Sequence, residues 1–268
     1  PRPPQVFPGP SFVYGIYADG NVIVYGPVPG PDGVSLQITQ PPEPLLARWI
    51  QAHPGISSGV VILQVDGTLA RWRPGTGAVR VVPDLRDVTA FAMGTTHGVA
   101  LHADGTVSGW SETTSPPLEI PEGLNDVTAV AAGDRFAVAL RRNGDLVSWG
   151  MAPVQPALGQ RVTAIAAAGI HVVALLEDGT VRGWGGNLNQ QLNWPSGLRG
   201  VVGIGTSMRA TALLIGSDLP VLVRQPEDQA LFVGQWFSFQ VEVLGSEPVQ
   251  YQWRFNGRNI PGAVGPVL

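Results

Sequence analysis

The chain contains no cysteine and no lysine. Without cysteine there can be no disulfide, no thiolate nucleophile and no cysteine-ligated zinc. That absence assigns no compartment. All 16 basic residues are arginine, which excludes Schiff-base chemistry and the lysine of a phosphate-binding loop. Charge is scarce: 13% of 268 residues, with a formal net charge of −4 and an isoelectric point near 5.5. A nucleic-acid binder needs a basic surface to neutralise phosphates. Here the arginines do not cluster beyond Arg141-Arg142, so no nucleic-acid partner is expected. Long apolar runs are missing as well. The longest, Val162 to Leu176, is 15 residues interrupted by Thr163 and His171, shorter than the roughly 18 of a membrane helix, so no membrane insertion is expected. No Gly-x-Ser-x-Gly elbow, His-Glu-x-x-His pair or glycine-rich phosphate loop occurs. The opening Pro1-Arg2-Pro3-Pro4 has neither initiator methionine nor signal-peptide pattern and reads as an internal or processed segment of a longer polypeptide.

What the chain does have is turns. Glycine (35) and proline (25) are abundant beside a 44% hydrophobic content, a composition that can bury a core and suits many short strands. The turns are periodic. Gly20, Gly67, Gly105, Gly144 and Gly179 are spaced 47, 38, 39 and 35 residues apart, and each follows Asp or Asn. Five residues after each stands an aromatic: Tyr25, Trp72, Trp110, Trp149 and Trp184. A fixed unit of about 40 residues marks a repeat architecture. The clearest copy has an opening strand rich in small residues, Val127 to Gly133, a second strand, Phe136 to Leu140, an Asn143-Gly144 turn, and a return strand ending at Trp149. Two β runs joined by Asn-Gly or Asp-Gly signal a hairpin.

Copies recur over 88–110 and 162–185, with a divergent one over 60–72. Phe12 to Gly26 keeps only the hairpin half, and Val201 to Ile215 only the opening strands. This organisation predicts an all-β fold: a β-propeller of about six to seven blades. Small opening strands would line a crowded axis, and the aromatics would fill the widening wedges between blades.

The units resemble the repeats of the regulator of chromosome condensation family. Trp184-Gly185-Gly186-Asn187-Leu188-Asn189-Gln190 is similar to that family's Trp-Gly-x-Asn-x-x-Gly-Gln motif, with Gln190 in the glycine slot and Gln191 in the final one. Gly94-Thr95-Thr96-His97 resembles its Gly-x-x-His motif, and Ala168 to His171 does so less closely. The resemblance covers about residues 11–215. It implies a β-propeller but leaves the activity open, since the family includes exchange factors, chromatin binders and secreted enzyme inhibitors.

After Ser217 the pattern changes. Strands are predicted over Pro220 to Pro226, Phe237 to Val243 and Val249 to Gly257. They resemble the first half of a bacterial immunoglobulin-like β-sandwich, with Trp253 as its core tryptophan. The expected domains are a Pro-rich segment at 1–10, propeller repeats at 11–217 and a partial immunoglobulin-like domain at 218–268. The incomplete sheet would pair with another chain or with the missing part of its own.

Candidate chemistry is thin. Asp19, Asp66, Asp104 and Asp178 all occupy the turn slot that Asn143 also fills, so they read as turn residues. His97 and His171 share a column with Phe136 and read as packing. No cofactor, metal or catalytic residue is expected. Trp49 and His53, in a divergent insert, and Trp194, in a linker, are the candidate binding residues. The expected function is a non-catalytic binding or scaffolding module, in a secreted or surface-anchored bacterial protein, that recognises a protein or glycan through propeller loops. The alternatives are a propeller-type carbohydrate-active enzyme and a secreted inhibitor of a bacterial enzyme.

Overall fold

The structure is a computed structural model. It describes residues 5–8, 13–16, 21–30, 33–39, 47–52, 59–72, 79–114, 116–216, 221–224, 226, 238–244 and 250–268. Among these there is no helix. Six antiparallel sheets follow one another along residues 5–215. The first joins β1 (Gln5–Pro8), β2 (Val13–Ile16), β3 (Val22–Gly30) and β4 (Gly33–Thr39). The second joins β5 (Ala47–Ala52), β6 (Val60–Gln64), β7 (Leu69–Trp72) and β8 (Val79–Val81). Three three-stranded sheets come next: β9 (Val88–Met93), β10 (His97–His102) and β11 (Val107–Ser111); β12 (Val127–Ala132), β13 (Phe136–Arg141) and β14 (Leu146–Gly150); and β15 (Val162–Ala168), β16 (His171–Leu176) and β17 (Val181–Gly185). The sixth pairs β18 (Val201–Ser207) with β19 (Ala210–Ile215). Gln5–Pro8, within the segment expected from sequence to be Pro-rich and outside the repeats, pairs with β2 in the first sheet. The hairpin of 12–26 likewise pairs within that sheet.

Each hydrophobic core is shared by two consecutive sheets. Trp72 packs with Ile16 and Val22 of the sheet before it, and Trp110 with Val61 and Leu63. Trp149 packs with Val99 and Leu101, and Trp184 with Phe136 and Val138. The tryptophan column therefore closes the wedge toward the preceding sheet, as the repeat pattern predicts. Tyr25 lies in β3, between Val13 and Ile38 in register. Gly20 lies outside the described residues.

The turn glycines meet two constraints at once. Gly67, Gly105, Gly144 and Gly179 have φ of 80°, 84°, 94° and 75°, a region costly for any residue with a Cβ. A Cβ on Gly67 would also sit 3.1 Å from the Asp87 Cα, and one on Gly179 3.1 Å from the Gly200 nitrogen. Those atoms belong to the connection into the next sheet. The carbonyls of Gly67, Gly105 and Gly179 then accept from the N–H of Val88, Val127 and Val201, the first residues of the next inner strands. The hairpin turn thus doubles as the clamp between sheets.

The sixth sheet departs from this pattern. β16 is buried along its whole length, whereas β19 alternates between exposed and half-buried, with Leu214 exposed.

Beyond the six sheets, β20 (Val221–Arg224) pairs with β21 (Glu242–Leu244). Phe239 and Leu268 exchange backbone hydrogen bonds across a bridge at Gln240 and Val267. A two-residue hairpin, β22 (Arg254–Phe255) with β23 (Arg258–Asn259), turns at Asn256-Gly257, whose φ of 49° and 78° fit a type I′ turn. The long strand predicted to end there is therefore ordered as strand only at its last residues. The Trp253 ring stacks on Phe239 at 6.4 Å, and its indole N–H donates to the Gly265 carbonyl at 2.9 Å.

The tryptophans differ in one respect that predicts their tolerance. The Trp110 indole donates to Glu112 at 2.6 Å, and Arg71 holds the same buried carboxylate at 2.8 Å. The Trp149 indole nitrogen is buried with no hydrogen-bond partner. Trp110→Phe strips a charge-assisted bond from a buried carboxylate, worth about 1.5–3 kcal/mol. It should therefore cost more than Trp149→Phe by roughly that amount, read from urea-unfolding midpoints. Equal losses would contradict this account.

Candidate functional site

The inner strands β5, β9, β12, β15 and β18 surround a cavity of about 560 Å³. Among the described residues each pairs on one side only, within its own sheet. Its other edge presents main-chain N–H and C=O groups toward the axis.

Cross-strand register aligns the inner strands residue by residue. Gln51, Ala92, Ala131, Ala166 and Gly205 are equivalent, facing Val61, Val99, Val138, Val173 and Ala212. Trp49, Ala90, Ala129, Ala164 and Gly203 form the next column out. A break in register follows in each of these five sheets, and the extra residue is Arg48, Thr89, Thr128, Thr163 or Val202. In the three middle sheets the bulged threonine hydroxyl donates to a cross-strand carbonyl, of Leu101, Leu140 or Leu175, at 3.1–3.2 Å.

Crowding near the axis explains the alanines and glycines. β5 breaks the rule three times, with Arg48, Trp49 and Gln51 where the other strands carry threonine or valine and then alanine or glycine. All three line the cavity, and Trp49 is 45% exposed. Bulges re-aim side chains, which accounts for adjacent residues both lining the cavity. One wall is thus cationic, aromatic and amide-bearing, and the rest is aliphatic.

Of the two predicted binding residues that are described, Trp49 is in this lining and Trp194 is not. Trp194 is half-buried against the core of Val173, Leu175 and Leu198, its ring over Gly183, where a Cβ would meet it at 2.6 Å. His53 lies outside the described residues. Sequence reasoning missed Arg48 and Gln51. Aligning β5 on the threonine-alanine pattern of the other opening strands would have exposed them.

One rim of the ring is formed by the loops between first and second strands. Thr95 donates to the Asp134 carboxylate at 2.6 Å, and the Asp134 N–H donates to the Gly169 carbonyl at 2.7 Å. Three sheets are thereby linked. On the same rim Met151, Ile170, Leu188 and Met208 are exposed. The loops that carry them touch in part: Met151 N–H donates to the Arg135 carbonyl, a Cβ on Gly186 would meet the Ile170 side chain, and one on Gly169 would touch the Met208 backbone.

The opposite rim carries the Asp-Gly turns. Asp66, Asp104 and Asp178 each accept from the N–H and hydroxyl of the threonine two residues on. Those bonds hold all three carboxyls below their ordinary value. Asn143 makes the equivalent bond to the Asp145 N–H. Asp19 lies outside the described residues.

The histidines sit in the column read as packing, opposite Ser111 and Gly185, with Phe136 opposite Gly150. His97 is buried with its Nε2 at 3.2 Å from the Phe136 carbonyl of the next sheet. His171 is fully buried, and neither ring nitrogen makes a hydrogen bond of good geometry. Desolvation lowers the pKa of both, against a weaker opposing pull from the Phe136 and Ala168 carbonyls respectively. Among the described residues no three His, Asp or Glu side chains are grouped to hold a metal ion. The described residues contain no helix long and apolar enough to cross a membrane.

Residues 127–151, spanning β12 to β14, match the model of the regulator of chromosome condensation (RCC1) repeat. No curated protein matches the chain. Among solved structures it is similar to yeast RCC1 (Prp20) bound to Kap60, with a TM-score of 0.60 and 15% identity over 80% of this chain and 66% of that one. It is also similar to human WBSCR16, with a TM-score of 0.64 and 15% identity over 81% and 73%. A third is the CRINKLY WD40 ectodomain of the Arabidopsis thaliana receptor kinase ACR4, at 0.56 and 14% over 91% and 82%. The chain spans just under two thirds of the yeast chain's length. At such identities the likeness shows the fold alone, an RCC1-type β-propeller.

His171 gives a test of the packing column. A base whose folded pKa is lowered binds protons more readily when unfolded, so its stabilising contribution is complete above about pH 6.5 and is lost as pH falls below that value. His171→Phe, copying Phe136, should raise stability, and by more at pH 5 than at pH 8. Urea midpoints at the two pH values check this. A variant less stable at both would refute it.

Proposed function

We propose that this propeller is a non-catalytic binding module that grips a protein partner across its loop rim. The observation that carries the reading is the run of exposed apolar side chains at Met151, Ile170, Leu188 and Met208, on loops braced to one another from sheet to sheet. Large apolar side chains exposed together on one rim are the kind of surface that protein interfaces use. The turn carboxylates support the non-catalytic part, because Oδ1 of each is held by the N–H and hydroxyl of the threonine two residues on, as a turn requires. Yeast RCC1 was crystallised with a protein partner, Kap60, which fits a propeller used as a scaffold.

A secreted or cell-surface bacterial setting, with an immunoglobulin-like tail, belongs to the same proposal. It is supported by the small antiparallel unit built around Trp253 and Phe239, and by the receptor-kinase ectodomain among the structural neighbours. A glycan is the alternative partner in that setting.

Ile170→Glu/Leu188→Glu should abolish capture of the partner, while Asp104→Arg on the turn rim should leave it intact. Both variants are compared with the unaltered chain as bait against surface and secreted fractions of the source organism, with thermal unfolding confirming the fold. Capture that survives the double variant, or that is lost equally in Asp104→Arg, would overturn the assignment of the rim.

A further inference from the structure

The axial channel holds a second feature, independent of the rim. Of the described residues lining it, Arg48 alone is charged. Arg48 is exposed and makes no ion pair with a described carboxylate. It stands where the three middle sheets place a threonine that satisfies itself on a cross-strand carbonyl. Beside it Trp49 presents an indole at a position held elsewhere by alanine or glycine. Opposite are Val130, Ala131, Ile165 and Ala166. The volume, about 560 Å³, lies within the roughly 300–1,000 Å³ of small-molecule sites.

We propose that the channel binds an arylalkyl carboxylate. A guanidinium takes a carboxylate through two parallel N–H···O bonds. An indole offers a face on which a flat ring stacks. The aliphatic wall takes the remaining hydrocarbon, which gains from leaving water. The inner-strand edges add main-chain donors for whichever carboxylate lone pairs Arg48 leaves open. A neutral aromatic would leave the guanidinium unmatched, and an unbranched polar acid would leave the indole and aliphatic wall wet. The carboxylate can come from a free aromatic acid or from the C-terminus of a polypeptide ending in phenylalanine; both present the same groups.

The test is calorimetric titration of the whole chain with 2-naphthylacetate and with its neutral carboxamide. In parallel, a short peptide ending in Phe is titrated as the free acid and as the amide. The acid of at least one pair should bind about tenfold or more tightly than its amide, the order expected of one charge-assisted pair. Arg48→Gln should erase that difference, weakening the acid to the level of its amide. Ala166→Leu, which narrows the channel, should weaken acid and amide together, with the thermal midpoint showing that it still folds. Discrimination by the naphthyl pair assigns the site to free acids, and discrimination by the peptide pair alone assigns it to polypeptide termini. If each acid and its amide bind alike, if neither binds at millimolar concentration, or if Arg48→Gln keeps the preference, the proposal fails.

Discussion

Everything in this propeller depends on the wedge between consecutive sheets. A sheet radiating from an axis has more space at its outer strands than at its inner one, and that space must be filled without displacing the inner strands. Small residues on the opening strand let the sheets approach at the centre, and one tryptophan per sheet fills the outer gap against its predecessor. Because the cores are shared, no middle sheet has a hydrophobic interior of its own. Stability is therefore nearest-neighbour in character.

The repeat was legible because each of its parts answers a local demand. Asp-Gly and Asn-Gly announce the turn, the aromatic five residues on announces the wedge, and the alanine runs announce the axis. Even the histidine column could be read as packing from the phenylalanine that shares it. Less visible was the second reason for the turn glycines. Their contact with the connection into the next sheet is made by residues about twenty positions away and leaves no mark in the turn itself. Outer strands such as β4 and β8 carry no recurring motif. In the tail, the strand expected over Pro220 to Pro226 holds β20 and the Asn256-Gly257 turn was legible, whereas the partners of Trp253, Phe239 and Gly265, left no mark in the sequence.

Function was written more faintly. Trp49 was visible as an odd aromatic in a divergent insert, but its meaning depends on register. Only when β5 is set beside its equivalents does the triplet Arg48, Trp49 and Gln51 emerge as a departure from a rule. Trp194, equally conspicuous as a residue, is half-buried over a glycine whose missing side chain makes room for it. The apolar rim is assembled from four separate loops, none of which is unusual alone.

The clamp from each turn carbonyl to the next inner strand has a kinetic corollary. Gly67 to Val88, Gly105 to Val127 and Gly179 to Val201 are contacts of short sequence separation, although the finished ring is wide. A chain whose stitching is this local closes small loops at each step and keeps its contact order low for an all-β protein. Assembly can begin at any hairpin and spread in either direction, one sheet at a time, and emergence of the chain from the ribosome would already impose a sensible order.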